Sequence, residues 1–472
     1  MNFSREINRL MRALLGAFAV MLLAAAYYTI VGQYAILQRD DNPRLVEAEQ
    51  ALLRGQIVDF DGNLLAESVT GQNNIAQRRY LEPATYSAVG YYSFRYGTGG
   101  VEAAYNDILS GSDITPGFNE IVLRQPHRGN DIQLTLRASV QREIYDAMQG
   151  RRGAVIVMSV PDGAVWALVS TPDYNPNTLD DEWDALIDAP GNPFFNRVLQ
   201  GQYQPGTIFQ LPMLADALTR GQLLSAQFPG GATPILVNGL ILSCVEEPPQ
   251  LQINLSEAYV YGCPGPFSQL TGALDVERLN RSMSTYRITN PPTLADFFLP
   301  EETTGEQETV LVMDDATLRE NVLGQGDINL SPMAINSLTA AIANRGNAPS
   351  PYVLHATRPP GTTTWQPVRQ QQTTLPYMTV QTAQQIGLFM RESVLTGTAN
   401  ATSDVEPPIR GQAAIAFSGE GALVWFTGFT SNGTEGHVVT TVVLEDTTDV
   451  DEATQVGRIA LQAATGTGSI TE

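Results

Sequence analysis

Hydrophobic positions along this chain fall into three rhythms. An uncharged, mostly apolar run extends from Ala13 to Gln38, and about 20 apolar residues cross a bilayer core, so it predicts a membrane-spanning helix. Further on, Ala154–Ser159 and Ala164–Ser170 are nearly continuous in apolar residues around a Pro161-Asp162-Gly163 turn, which predicts a hairpin covered on both faces. Strand patterns return at Gln412–Phe417, Leu423–Phe429 and His437–Glu445, with Gly-rich turns between. Helical periodicity marks Ala138–Met148, a helix capped by Ser331 with Pro332 at its first position and running to Arg345, and Val380–Leu395, which puts Ile386, Phe389, Met390 and Val394 on one face. Residues 451–464 read as a last helix. Strands at both ends with helices between them predict an α+β domain: one antiparallel sheet assembled from both ends of the segment and sandwiched by helices.

Before that domain the pattern breaks into short strands and turns. Arg54–Asp59, Asp61-Gly62 and Leu64–Ala66 read as a hairpin around an Asp-Gly turn, and the Gly and Tyr residues between Arg79 and Glu102 as turns and ring packing. Asp131–Leu136 reads as a connecting strand. The expected organisation is a tail (1–12), a transmembrane anchor (13–37), a small β-rich N-terminal region (38–130), a linking strand and helix (131–152), a main domain (153–465) and a loose tail (466–472).

Charge narrows the function classes. Among 472 residues, 49 acidic against 27 basic give a net charge of -22, which repels nucleic acid and excludes it as a partner. Every basic residue is an arginine; the chain has no lysine. Arg5, Arg9 and Arg12 precede the apolar run and predict a single-pass protein with a cytoplasmic N-terminus and its bulk outside. A cleaved signal peptide is the alternative, since Ala24-Ala25-Ala26 offers small residues, but the run continues to Leu37, too long for a signal core.

The candidate chemistry centres on Gln204-Pro205-Gly206-Thr207-Ile208-Phe209-Gln210. Pro205-Gly206 predicts a tight turn, after which Thr207 can cap a buried helix. Serine acyl-transfer enzymes put their nucleophile at such a place, in a Ser-x-x-Lys pattern whose lysine relays the serine proton. Here Thr207 and Gln210 stand at the two ends of that tetrad, and an amide has no usable basicity at neutral pH. His127, His355 and His437 lie far apart with no metal-ligand spacing, so neither metal nor cofactor is expected, and no Gly-x-Ser-x-Gly supports a Ser-His-Asp triad.

Over almost its whole length the chain resembles a class B penicillin-binding protein, a membrane-anchored peptidoglycan D,D-transpeptidase with a β-lactamase-like fold. The resemblance rests on the anchor, Arg54-Gly55-x-Ile57-x-Asp59-x-x-Gly62-x-x-Leu65-Ala66, the Tyr91-to-Glu102 stretch, the Gly153-to-Ser170 hairpin with Pro172-Asp173-Tyr174-Asn175-Pro176-Asn177, and Asn196-Arg197. Gly324-Gln325-Gly326 followed by Ser331-Pro332, and Trp425-Phe426-x-Gly428-Phe429, belong to the same pattern. The departures fall on the chemistry. The family's Ser-x-x-Lys falls on Thr207 and Gln210, its Ser-x-Asn on Gly262-Cys263-Pro264, and its Lys-Thr-Gly-Thr on Gln412-Ala413-Ala414-Ile415.

The resemblance with these losses implies a pseudoenzyme, not an enzyme: a catalytically inactive scaffold or regulator in peptidoglycan synthesis or cell division, contacting a polymerase through its anchor and N-terminal region. One alternative is an active, penicillin-binding D,D-transpeptidase with Thr207 as nucleophile; another is a non-covalent sensor of wall peptides or β-lactams. Backbone N–H groups of Thr207 and Ile415 would remain as oxyanion donors, since they need no particular side chain. Cys244 and Cys263, the only cysteines, would lie outside the cytoplasm, where a disulfide between them can clamp the loop before the altered second motif.

Overall fold

The computed structural model describes residues 3–27, 50–71, 75–112, 127–222, 224–289, 317–368, 373–419, 421–433 and 436–466, together with residues 294 and 314. Helix α1 (Phe3–Tyr27) contains an apolar stretch, Ile7–Ala25, long enough to cross a bilayer. It begins ten residues before the expected span, because Phe3–Arg12 also takes helical form. The remainder of the expected span, 28–37, and the tail residues 467–472 lie outside the described residues.

A six-stranded sheet gathers the N-terminal region. It contains β1 (Ile57–Val58), β2 (Leu64–Thr70), β3 (Ala76–Tyr80) and β4 (Asp131–Leu134), with the later strands Leu354–Arg358 and Gln366–Pro367 at its other edge. The Asp-Gly hairpin forms as expected, with Gly62 at φ +88°, where a side chain would be strained. Asp131–Leu134, expected as a connection, lies inside this sheet: β4 runs parallel to β1 and antiparallel to Leu354–Arg358. Asp131 holds the arrangement by pairing with Arg358 at 2.8 Å.

Beneath this sheet Glu102, fully buried, receives Arg54 at 2.9 Å and Arg78 at 2.6 Å. Burial alone would raise the Glu102 carboxyl, but the two guanidinium groups outweigh it and hold it below the usual carboxylate range. The region docks on the main domain through Asn177, which accepts from the Tyr80 N–H at 2.9 Å and donates to the Tyr80 carbonyl at 3.0 Å. That contact gives Asn177, the last residue of the Pro172-to-Asn177 stretch singled out in the sequence, a structural role.

The main domain is α+β. After α2 (Ala138–Ala147), β5 (Gly153–Val160) and β6 (Val165–Thr171) form the expected hairpin, every residue of β5 being buried. Helix α3 (Gln210–Thr219) follows, then α4 (Pro332–Ala343) and α5 (Val380–Thr396). Strands β8 (Arg410–Ser418), β9 (Gly421–Ser431) and β10 (His437–Glu445) and helix α6 (Val450–Thr465) complete the domain; β7 denotes the earlier strand Leu354–Arg358. The sheet order is β8-β9-β10-β5-β6, all antiparallel, so both ends of the domain meet at the β10–β5 pair.

Strand alternation sends Ile156 and Met158 into one core and Val155 and Val157 into the other. The first core contains α3 and α4; the second contains α2 and α6. All twelve residues of α4 are buried, which an apolar helix clasped between the sheet and other helices requires. Ser331 caps it by accepting from the Ala334 N–H at 3.2 Å.

Candidate active site

The turn before α3 is held from three sides. The Trp425 indole donates to the Gln204 carbonyl at 3.0 Å, Gln204 Nε2 donates to the Gly326 carbonyl at 2.6 Å, and the Gly206 N–H donates to the Gly324 carbonyl at 2.8 Å. Gly206 has φ +54°, and a Cβ there would lie 2.1 Å from the Ile415 carbonyl oxygen, so only glycine lets the turn approach β8 this closely. Below it, Tyr203 donates to Glu445 at 2.9 Å beside the Arg197–Glu445 pair at 2.8 Å. Burial and the neighbouring carboxylate push the Tyr203 phenol well up, so it stays protonated as a donor.

Thr207 differs from expectation in its local role. It sits inside a 3-10 turn, Gly206–Phe209, and makes no side-chain cap. Its Oγ instead accepts the backbone N–H of Ile415 on β8 at 3.2 Å. One turn on, Gln210 is 2% exposed; its Nε2 donates to the Cys263 carbonyl at 3.1 Å, while its Oε1 has no partner. Because a carbonyl can only accept, this bond fixes which end of the amide is nitrogen.

The second-motif position is filled by neighbours. Gly262 has φ +64°, and a Cβ there would lie 2.7 Å from Val245 Cγ2 and 3.1 Å from Thr398 Cγ2. The Glu246 N–H donates to the Tyr261 carbonyl at 3.1 Å, and Cys244 is disulfide-bonded to Cys263, which ties the Val245 loop across this wall. Pro264 opens the short helix that follows.

On β8, Gln412 is fully buried, and neither atom of its amide has a hydrogen-bond partner. Ala413 and Ala414 face opposite cores. The outward N–H groups of this edge strand are met by side chains: Ala413 by Thr398 Oγ1 at 3.1 Å, Ile415 by Thr207, and Phe417 by Gln325 Oε1 at 3.4 Å.

A cavity of about 250 Å³ joins these pieces; Thr207, Gln210, Pro264 and Ile415 line it together with Val245 and Gln325. Among the described residues no charged side chain lines it, and none of the three histidines does. His355 packs edge-on against Phe60 and His437 against Phe429, and burial, with Arg410 and Arg345 near, holds His437 below its ordinary value. No cluster of metal-ligating side chains occurs among the described residues.

The structure thus brings the first-motif pair, Pro264 and Ile415 to one cavity, while Gln412, Ala413 and Ala414 do not line it. Sequence reasoning missed Val245 and Thr398, which fill the space beside Gly262; no local pattern marks either residue. It singled out Gln325 without a role, and the role is to meet the edge of β8.

Comparison with known proteins extends this picture. The penicillin binding protein transpeptidase domain family matches residues 153–464, and the penicillin binding protein A dimerisation domain family matches residues 54–132. The peptidoglycan D,D-transpeptidase PbpA of Mycobacterium tuberculosis is 31% identical over 370 residues, covering 73% of this chain and 74% of that protein. The same-named protein of Mycolicibacterium smegmatis is 30% identical over 367 residues, covering 72% and 73%. Among solved structures, the imipenem acyl-enzyme complex of penicillin-binding protein A from M. tuberculosis is similar with a TM-score of 0.77 at 26% identity, over 88% of this chain and 99% of that one. Its penicillin G acyl-enzyme complex is similar with a TM-score of 0.74 at 26% identity, over 87% and 99%. These findings overturn the expectation that the chain is not an enzyme. The relatives are named as transpeptidases and their fold carries an acyl group, whereas the expectation rested on altered side chains alone.

Proposed function

Since this chain belongs to the penicillin-binding protein transpeptidase family, we propose that it serves peptidoglycan assembly by receiving the acyl end of a wall peptide, or a β-lactam that mimics it, against Thr207. The observation that carries the reading is the Ile415 N–H set 3.2 Å from Thr207 Oγ at the wall of the cavity. An acyl carbonyl entering there meets a hydroxyl and a backbone donor at once. In the transfer step Thr207 Oγ bonds to the carbonyl carbon, the C–N bond of the peptide or lactam breaks, and the hydroxyl proton leaves with the departing nitrogen. The Thr207 and Ile415 N–H groups would stabilise the oxyanion once Thr207 Oγ gives up its present contact. Gln210 cannot take the proton, and a positioned base is worth about 10²–10⁴-fold, so acylation is slower by roughly that factor than in a lysine-bearing relative.

The test is a fluorescent penicillin added to the full-length protein in detergent, followed over hours on a denaturing gel. A slowly growing covalent band that disappears in Thr207→Ala is the expected result. No band on the wild type at millimolar probe, or a band that survives in the variant, removes Thr207 from the acceptor role.

A second reading, compatible with the first, is a scaffold or regulatory contribution to a wall-synthesis or division complex. It is favoured by the match of residues 54–132 to a dimerisation family, beside a helix long and apolar enough to cross the bilayer. Arg5, Arg9 and Arg12, at the N-terminal end of that helix, support a cytoplasmic N-terminus with the bulk outside. Co-purification of a polymerase with the full-length chain, and its loss when residues 54–132 are removed, would identify this contact.

A further inference from the structure

The cavity beside Thr207 also says which ligands it selects. We infer that it takes an uncharged, N–H-bearing ligand, such as an acyl peptide ending in a carboxamide, in preference to one ending in a free carboxylate. This rests on the proposed reading of the cleft as a wall-peptide or β-lactam site, and it names the chemical class within that reading.

Three observations carry it. First, among the described residues fourteen line the cavity and none of them is charged; its walls include Ile241, Val245, Leu323 and Phe417. A carboxylate moved into such a wall loses its hydration and gains no cation, whereas a neutral amide loses far less. The chain's net charge of -22 adds a field of the wrong sign for an anion.

Second, Gln210, which lines the cavity, carries an unused acceptor. Gln210 is 2% exposed, its Nε2 is committed to the Cys263 carbonyl, and its Oε1 has no partner. An orphaned buried carbonyl oxygen is satisfied by an N–H or O–H and is repelled by a carboxylate oxygen.

Third, no cation can rotate in from the altered motifs. Gln412 is buried and outside the cavity lining, the space next to Gly262 is occupied by Val245, and the sequence contains no lysine.

The experiment is calorimetry of the full-length protein in detergent with an N-acyl-D-alanyl-D-alanine and with its C-terminal carboxamide, alike in everything but the terminal charge. The carboxamide should bind at least about tenfold more tightly, a gap that an uncompensated anion readily produces. Equal or tighter binding of the carboxylate would overturn the inference and leave the cleft reading standing. Heat from neither ligand would overturn both. Gln210→Lys, which replaces the orphaned acceptor with a cation, should invert the preference. A folded Lys variant that still favours the carboxamide would show that the selection is made elsewhere. The wild-type comparison stands without that variant.

Discussion

Two guanidinium groups of the N-terminal region depend on the buried Glu102 carboxylate. Arg54 and Arg78 are 2% and 3% exposed at their side chains, so removing the carboxylate leaves two buried cations unpaired. Glu102→Gln should therefore cost about 3–5 kcal/mol in denaturant unfolding at neutral pH. The sign with pH follows from the lowered carboxyl: its contribution is present above the unfolded carboxylate range and is lost as pH falls through the folded value. The gap between wild type and variant should narrow on acidification; a constant gap down to pH 3 would contradict the pairing. At this scale the sequence was partly readable. Thr207 and Gln210 could be located from the Pro-Gly turn, and the resemblance set Ile415 beside Thr207, yet the direct bond from the Ile415 N–H to Thr207 Oγ, across 208 residues, could not be read.

Among the elements, the Val245 loop decides the shape of the cleft. The disulfide spans 19 residues, and a closed loop of that length restrains the unfolded chain by roughly 3 kcal/mol. Cys263→Ser should lower stability by about that amount and release the loop, read as faster amide exchange at Val245 and Glu246 with the strands β8 to β10 still protected. Unchanged exchange in the loop would mean that the Glu246–Tyr261 hydrogen bond alone holds it. The regular elements were legible because their burial is two-sided or strictly periodic: β5 and β6 as apolar runs, α4 from Ser331-Pro332, α5 from its apolar face. The turn at Gly206–Phe209 was not. A 3-10 turn and the first turn of an α-helix share one residue pattern, and contact with β8 decides between them.

Across the whole molecule, antiparallel assembly from both ends of the main domain could be anticipated from strands flanking a helical middle. The path of Leu354–Arg358 into the N-terminal sheet could not, since that strand is short and its partner β4 lies more than 200 residues earlier. The same closure bears on biosynthesis. Strand β10 sits between β9 and β5, so β5 has no neighbour on that side until residues 437–445 have been translated. A protein ending at residue 436 should lack a cooperative melt and aggregate through the bare edge of β5, and a sharp transition in that truncation would refute this. Until residues 437–445 arrive the growing polypeptide carries an open strand edge, so a pause in translation just before them should lengthen the interval in which two chains can pair there.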